Sequence, residues 1–252
     1  MKALITGASS GIGRDMARVL AEMEVDLILV ARRGERLEEL KQELPVDVQV
    51  ITADISDINI CKALYQRVKD EHIDILINNA GLGDCGNFDK TSLDKDIQMI
   101  QTNMQAVHIL TKLFLKDFIK RDSGYILNVA SSAAFLPGPL MATYYATKSY
   151  VLHLTMAIYK ELKVRHSHVS ISALCPGPVQ TEFANVANVN FMLKGKSSQQ
   201  IAKDAIYDMF RKKLVIIPGM LMKVSYFLTR IMPNEVLLEC SYYIQHRKNK
   251  DV

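Results

Sequence analysis

Short apolar stretches alternate with helical patterns along most of the chain, and this alternation limits the folds that the sequence can adopt. The apolar stretches cover residues 2–6, 25–30, 48–52, 73–77, 124–129, 169–174 and 214–217. The helical patterns cover residues 12–23, 34–44, 58–71, 94–121, 143–163 and 198–212. Strands that are apolar throughout are buried on both faces, and a helix between successive strands makes them parallel. The sequence therefore predicts an α/β fold, a doubly wound parallel sheet of about seven strands with helices on both faces in three αβα layers.

The length and composition exclude several classes of protein. The 252 residues are 49% hydrophobic and 23% charged, which suits one α/β domain over residues 1–252. The net charge of +4 is spread along the chain, without the basic stripe and interleaved aromatic residues of a nucleic-acid-binding protein. We expect no membrane span, because no stretch reaches ~18 apolar residues. We also expect no signal peptide, because the first strand begins at residue 2.

The cysteine residues predict neither disulfide bonds nor a metal site. Cys61, Cys85, Cys175 and Cys240 are far apart in sequence and form no Cys-x-x-Cys motif. We therefore expect buried thiols in a reducing compartment, a cytoplasmic location and no bound metal.

A glycine-rich loop follows the first strand, and a helical pattern begins directly after it. A strand, a glycine loop and a helix in this order seat the pyrophosphate of a dinucleotide at the helix N-terminus. The literal Gly-x-Gly-x-x-Gly motif is absent, because the spacing here is Gly-x-x-x-Gly-x-Gly. An ordinary glycine-rich turn is the alternative. The residues predicted to bind the cofactor here are Gly7, Ser9, Ser10, Gly11, Ile12 and Gly13.

Two arginines at the end of the second strand predict which dinucleotide is bound. An acidic residue near this position would bind the ribose 2′-hydroxyl of NAD. The chain instead has Arg32 and Arg33, and guanidinium groups suit a 2′-phosphate. We therefore predict NADP(H). The alternative is that both arginines only open the charged helix that follows.

Tyr144 and Lys148 predict acid–base chemistry. They are four residues apart, which is about one helical turn, so they share a face of the helix. A nearby ammonium group favours the phenolate, so we expect Lys148 to lower the pKa of Tyr144 towards neutral pH. A tyrosine with such a pKa can exchange a proton with an alcohol oxygen, and a serine hydroxyl could hold that oxygen. Taken alone, such a pair is more often a solvated helix face.

The motifs in their order resemble those of the short-chain dehydrogenase/reductase family, from Lys2 to about Phe183 and more loosely to Gly219. This family has a Rossmann-type fold, and its common subclass is a single domain of similar length. The resemblance identifies four catalytic positions: Asn103, Ser131, Tyr144 and Lys148. It adds cofactor contacts, in which Tyr144 and Lys148 take part, at Asp54, Ile55, Asn79, Ala80, Gly81, Pro176, Gly177, Val179 and Thr181.

Several assignments have alternatives. Ser131 is thirteen residues before Tyr144 and three after Asn128, as in the family pattern, and the adjacent Ser132 fits neither spacing. Asn103 could instead be a buried polar residue satisfied by backbone groups. The alternative role of Asp54 is a helix N-cap. Asn78 and Asn79 could instead tie strands together.

The resemblance implies a mechanism in which hydride reaches a ketone carbon while Tyr144 supplies the proton. Ser131 would orient the carbonyl oxygen, Lys148 would hold the nicotinamide ribose, and Asn103 would hold a water molecule on a proton path. Apolar residues after Ser131 and Thr181 favour a hydrophobic alcohol or ketone, such as a steroid, a bile acid or a 3-oxoacyl chain.

The C-terminal third, residues 183–252, is expected to contain a substrate lid and an apolar tail. The lid residues are Phe183, Val186, Val189, Phe191, Met192 and Leu193. The tail, from Gly219 to His246, could cover the substrate, join a subunit interface or lie on a membrane surface. The family commonly forms dimers or tetramers through the helices predicted at 94–121 and 143–163, so we expect a homodimer or homotetramer.

Two other functions compete with a reductase. A redox sensor would bind NADP(H) without catalysis, but such proteins usually lose the tyrosine or the lysine. An epimerase or dehydratase would need further acid–base residues that the sequence does not offer. An NADP-dependent reductase or alcohol dehydrogenase is therefore the favoured prediction.

Overall fold

A parallel sheet forms the centre of the molecule in the computed structural model, which describes residues 1–187 and 195–246. Within these residues the main sheet has seven strands in the order β3-β2-β1-β4-β5-β6-β9, and each neighbouring pair is parallel. Its strands are β1 (Lys2–Thr6), β2 (Asp26–Ala31), β3 (Val48–Thr52), β4 (Ile75–Asn78), β5 (Tyr125–Val129), β6 (Ser170–Leu174) and β9 (Val215–Ile216). Two short strands, β7 (Val179–Gln180) and β8 (Lys196–Ser197), pair separately.

Helices cover both faces of this sheet. They are α1 (Gly11–Glu22), α2 (Gly34–Glu43), α3 (Ile58–Val68), α4 (Leu93–Ile100), α5 (Val107–Lys120), α6 (Ala142–Val164), α7 (Phe183–Val186), α8 (Ser198–Phe210), α9 (Met220–Leu228) and α10 (Asn234–His246). Successive residues of a strand point to opposite faces, and β1 illustrates this. Ile5 packs with α1, α2 and α8, whereas Leu4 packs with α3, α5 and α6. The predicted three-layer, doubly wound fold is confirmed.

The helix predicted at 94–121 is continuous but not α-helical throughout. A π-helical turn, Gln101–Ala106, lies between α4 and α5. Asn103 sits in this turn, where its amide bonds to the backbone of Leu82 rather than to solvent. The sequence pattern also missed that the apolar tail forms two helices, α9 and α10.

The carboxyl ends of the strands meet at one edge of the sheet, and the strand order reverses there between β1 and β4. Ligands of doubly wound sheets bind at such a switch point. Asn79 joins the two strands, because its amide donates to the carbonyls of Thr6 and Gly7 at 3.0 and 3.1 Å. The Thr6 hydroxyl accepts from the backbone of Asn79 and Ala80. These bonds fix the loops that surround the candidate site.

Across the described ranges, no helix has both the length and the apolar character that crossing a membrane requires.

Candidate active site

The loop between β1 and α1 leaves no room for side chains at its glycines. Gly7 and Gly11 have φ angles of +67° and +56°, which favour glycine. A Cβ atom at Gly13 would lie 2.3 Å from the Asn79 amide nitrogen and 2.5 Å from the Gly7 carbonyl oxygen. A Cβ at Gly11 would lie 3.0 Å from the Thr181 methyl group. The loop therefore folds tightly against the two strands that flank the switch point.

This loop fits the pyrophosphate of a dinucleotide. The loop leads directly into helix α1. Ser10 is the N-cap residue of this helix, but its side chain makes no capping bond. The first amides of α1 are thus not capped by the Ser10 hydroxyl, and a helix N-terminus attracts anions. Together with the space that only glycine leaves, these groups form a suitable cradle for a phosphate.

Arg33 lies directly beside this cradle. It donates to the hydroxyls of Ser9 and Ser10, the latter at 2.8 Å, and to the Glu182 carboxylate at 2.8 Å. Arg36, which sequence analysis missed, donates to the same carboxylate at 2.7 Å. The pKa of the Glu182 carboxyl is lowered by these bonds to Arg33 and Arg36. Arg33 therefore not only precedes helix α2 but also binds the glycine loop and Glu182.

Arg32 and Asp54 lie together further along this edge. Their side chains approach to 3.7 Å, and both are exposed. The alternative that Asp54 caps helix α3 is wrong, because Asp57 accepts the capping bonds, while Asp54 accepts only from the Ser56 amide in a local turn. The neighbouring Ile55 side chain is buried in the core, so it does not itself reach a bound cofactor.

The predicted catalytic residues come together at the end of β5. Ser131 follows the strand, its hydroxyl accepts from the Ala133 amide at 3.1 Å, and it is near enough to Tyr144 on α6 to lower the pKa of that phenol. Lys148 is buried one turn along α6, and its ammonium lies 5.9 Å from the centre of the Tyr144 ring. The same ammonium donates to the Val129 carbonyl at 2.8 Å. The structure therefore places the three side chains in one cluster, as the spacing predicts.

The pKa of Tyr144 shifts in the direction opposite to the one expected. Burial raises it to about 12, and the hydrogen bond to Ser131 opposes this only in part. Burial also lowers the pKa of Lys148 to about 8, with the neighbouring Cys175 acting in the opposite direction. The expectation that Lys148 acidifies Tyr144 is wrong in this structure, because removal of the phenol from water is the largest effect and raises its pKa.

Asn103 is fully buried beside Lys148. Its side chain exchanges two hydrogen bonds with the backbone of Leu82 and donates to the Thr147 hydroxyl at 3.1 Å. A Cβ at Gly81 would lie 3.2 Å from both Asn103 Oδ1 and Lys148 Nζ. Asn103 is thus satisfied mainly by backbone groups, as the alternative interpretation stated, and it also adjoins the lysine ammonium.

The segment after β6 packs against the loops that carry the predicted site residues. The Pro176 carbonyl accepts from the Ser132 amide at 2.8 Å, which joins the segment to the loop that carries Ser131. A Cβ at Gly177 would meet Met222 of α9 at 2.7 Å. The Val179 side chain is buried in the core, whereas Thr181 covers Gly11. Of the predicted contacts in this segment, Thr181 is the one that reaches the glycine loop.

Phe183 packs against Tyr144, the predicted catalytic tyrosine. Its ring centre is 5.4 Å from that of Tyr144, and a Cβ at Gly83 would lie 2.8 Å from its ring. Tyr145, the residue that resembles Tyr144 in sequence, instead accepts a hydrogen bond from Gln245 of α10. Of the other predicted lid residues, Val189, Phe191, Met192 and Leu193 and the side chain of Val186 lie outside the described residues.

Comparisons with known proteins agree with this geometry. A family model described as short chain dehydrogenase matches residues 1–190. The NADP-dependent 3-hydroxy acid dehydrogenase of Schizosaccharomyces pombe is 33% identical over 245 residues, which cover 88% of this chain and 92% of that protein.

Two solved structures share the fold. A short-chain dehydrogenase from Sphingobium yanoikuyae in complex with NADPH is 30% identical, with a TM-score of 0.81 over 92% of this chain and 96% of its own. A short chain dehydrogenase/reductase from Burkholderia phymatum in complex with NAD is 24% identical, with a TM-score of 0.82 over 90% and 92%. From the family match and the motifs gathered at one sheet edge, we conclude that the chain belongs to the short-chain dehydrogenase/reductase family of oxidoreductases, whose members bind NAD(P)(H).

Proposed function

We propose that this protein is an NADP(H)-dependent oxidoreductase that interconverts a ketone and a secondary alcohol on a hydrophobic substrate. The observation that carries the proposal is the grouping of Ser131, Tyr144 and Lys148 at the end of β5, where the Lys148 ammonium lies 5.9 Å from the centre of the Tyr144 ring. This cluster adjoins a glycine loop that suits a dinucleotide, so a proton donor and a hydride source can serve the same carbonyl group.

Each residue of the cluster has a distinct part in this chemistry. The nicotinamide cofactor, when bound, supplies or accepts the hydride. Tyr144 donates the proton to the carbonyl oxygen, and Ser131 orients that oxygen by a second hydrogen bond. Lys148 supplies a positive charge beside the phenol and would bind the cofactor ribose, while Asn103, through the groups it fixes beside the lysine, would help to hold a water molecule there.

The raised pKa of Tyr144 keeps the phenol in the form that ketone reduction needs. A phenol with a pKa of about 12 keeps its proton at neutral pH and can give it to a developing alkoxide. In the reverse reaction, the oxidation of an alcohol, the same group would take the proton back.

The test of this proposal is the substitution Tyr144→Phe. It removes the proton donor and keeps the ring, so we expect kcat to fall by about 10²–10⁴-fold while the cofactor still binds. The control is Tyr150→Phe on the same helix, since Tyr150 bonds to His108 outside the cluster. Unchanged turnover in Tyr144→Phe would remove this residue from the mechanism. It would also favour the alternative of a non-catalytic NADP(H) sensor.

The preference for NADP(H) is supported by the arginines beside the glycine loop. Arg33 and Arg36 supply the N–H groups that a 2′-phosphate needs. The relative from Schizosaccharomyces pombe is named as NADP-dependent, and the Sphingobium yanoikuyae structure contains NADPH. The Burkholderia phymatum structure contains NAD, so cofactor choice differs among proteins of this fold.

Arg33→Ala tests this preference. We expect it to weaken NADPH binding about tenfold or more, because a charge-assisted hydrogen bond is lost, and to leave NADH binding unchanged. Titration of both cofactors, followed by protein fluorescence, measures the two affinities. Arg18→Ala is the matched control, because Arg18 pairs with Asp15 and Glu43 away from the loop. A wild-type protein that prefers NADH would refute the proposal.

The apolar surroundings of Tyr144 support a hydrophobic substrate. A small cluster surrounds the phenol, and its members are Cys85, Met141, Tyr145, Phe183 and Ala187. Steroids, oxo-bile acids and 3-oxoacyl thioesters have the apolar surface to replace such contacts. A screen of NADPH consumption against these ketones should include 3-oxo acids, because one relative is named as a 3-hydroxy acid dehydrogenase.

A further inference from the structure

Glu182 connects Arg33 and Arg36 to Phe183, the residue that packs against Tyr144. One oxygen of its carboxylate accepts from Arg33 at 2.8 Å, and both oxygens accept from Arg36, at 2.7 and 2.9 Å. Arg33 also bonds to Ser9 and Ser10 of the glycine loop. A single carboxylate therefore bridges two guanidinium groups at the edge of the predicted phosphate site.

A carboxylate in this position resembles the ligand that the arginines are proposed to bind. Guanidinium groups recognise carboxylates and phosphates through the same pairs of N–H donors. A phosphate dianion placed next to an ionised carboxylate meets like-charge repulsion. The 2′-phosphate of NADP(H) and the Glu182 carboxylate therefore compete for Arg33 and Arg36, whereas NAD(H) has no group that would displace the carboxylate.

The next residue in the chain is Phe183, which lies across Tyr144. Phe183 is held by its ring contacts with Tyr144 and Gly83 and by a bond from its amide to the Thr181 hydroxyl at 3.3 Å. Because adjacent residues share a peptide bond, a Glu182 side chain that leaves the arginines removes one anchor of this segment. Loss of the bonds between Glu182 and the arginines would therefore also loosen the backbone that holds Phe183 against Tyr144.

We propose that Glu182 is a specificity-determining residue that links the 2′-phosphate of the cofactor to the opening of the substrate cleft, an inference that rests on the proposed NADP(H) function. The 2′-phosphate takes the place of the carboxylate on Arg33 and Arg36. Residues 182–187 are released from Arg33 and Arg36, and Phe183 moves away from Tyr144. NADP(H) opens the cleft in this way, and NAD(H) does not.

Glu182→Gln tests the competition by a binding measurement that needs no turnover. The amide keeps the size of the side chain and loses its charge. We expect the variant to bind 2′,5′-ADP about three- to tenfold more tightly than the wild-type protein does, because exposed ion pairs of this kind are individually weak. Binding of 5′-AMP, which has no 2′-phosphate, should not change. Calorimetry measures all four affinities, and Glu43→Gln, which breaks an exposed pair with Arg18, is the matched control.

Hydrogen exchange tests the link to Phe183. The amide of Ala187 bonds to the Phe183 carbonyl at 2.9 Å, so exchange in the peptide covering residues 181–187 reports on release of the segment. We expect 2′,5′-ADP to accelerate this exchange in the wild-type protein and 5′-AMP to leave it unchanged. In Glu182→Gln the exchange should already be fast without a ligand.

The outcomes separate this inference from the proposed function. A wild-type protein that binds 2′,5′-ADP no better than 5′-AMP would overturn both. A wild-type protein that prefers 2′,5′-ADP, with no gain of affinity in Glu182→Gln, would overturn only the competition. A gain of affinity without faster exchange at residues 181–187 would overturn the link between Glu182 and Phe183.

Discussion

Lys148 is a charged side chain that the fold has removed almost completely from water. Only 5% of it is exposed, and its described bond is to the Val129 carbonyl rather than to a carboxylate. Burial of a charge without a counter-ion costs free energy, which is why the pKa of Lys148 falls to about 8. The sequence spacing predicted where this lysine lies, but its stability cost follows only from three-dimensional burial.

Lys148→Met should therefore stabilise the protein while it abolishes turnover. At pH 7 we expect a gain of about 1–3 kcal/mol in the free energy of unfolding, since the relieved penalty exceeds the lost hydrogen bond. The folded-state pKa is lower than the unfolded-state pKa, so the penalty is complete below pH 8. It should vanish as the pH rises towards about 10.5, where the unfolded chain also loses the proton.

Urea denaturation between pH 6 and pH 10, at roughly half-unit steps, measures this difference. Lys160→Met is the control, because Lys160 is exposed on the same helix. A Lys148→Met protein that is less stable than the wild type at pH 7 would contradict the assignment of the low pKa to burial.

Among the described residues, the helix α4 has an apolar face that is exposed. Leu93, Ile97 and Ile100 share this face at helical spacing, and they are 71%, 43% and 43% exposed. The resemblance to the family implies that subunits would associate through this region. Exposed rows of large apolar side chains mark association surfaces.

Ile97→Glu should weaken assembly of the protein. We expect the wild-type protein to sediment as a dimer or tetramer, and the variant to shift towards the monomer, because a carboxylate would be buried in an apolar contact. Sedimentation velocity at micromolar concentration measures the change. The control is Tyr207→Glu, because Tyr207 is exposed on α8, outside the two helices expected to form the interface. A wild-type monomer would contradict the expectation, as would a variant that assembles normally.

The tail helices show which part of an element can be predicted from sequence. Residues 219–246 were expected to be apolar, and they are, but their pattern did not predict two helices. Their positions follow from tertiary contacts instead, since Met222 packs on Gly177 and Gln245 bonds to Tyr145. These contacts support the interpretation of the tail as a cover, although Phe227 and Ile231 remain exposed.

For the whole molecule, the alternation of strands and helices predicted the sheet and the edge at which the site lies. The strand positions were predicted well because buried parallel strands are apolar on both faces. The family motifs also singled out residues that the structure brings together, including Tyr144 and Lys148. What could not be predicted were contacts between distant parts of the chain, such as those of Arg36 with Glu182 and of Phe183 with Tyr144.

The π-helical turn has a further consequence for the shape of the molecule. A turn of this kind holds about one residue more than an α-helical turn, so the side chains that follow it are rotated by roughly 100°. Leu93 and Ile97, before the turn, are exposed, whereas Leu110 and Phe114, after it, are buried on the sheet. Deleting a single residue within the turn would rotate α4 relative to α5 by roughly 100°, so the two helices could not both keep their present exposed and buried faces.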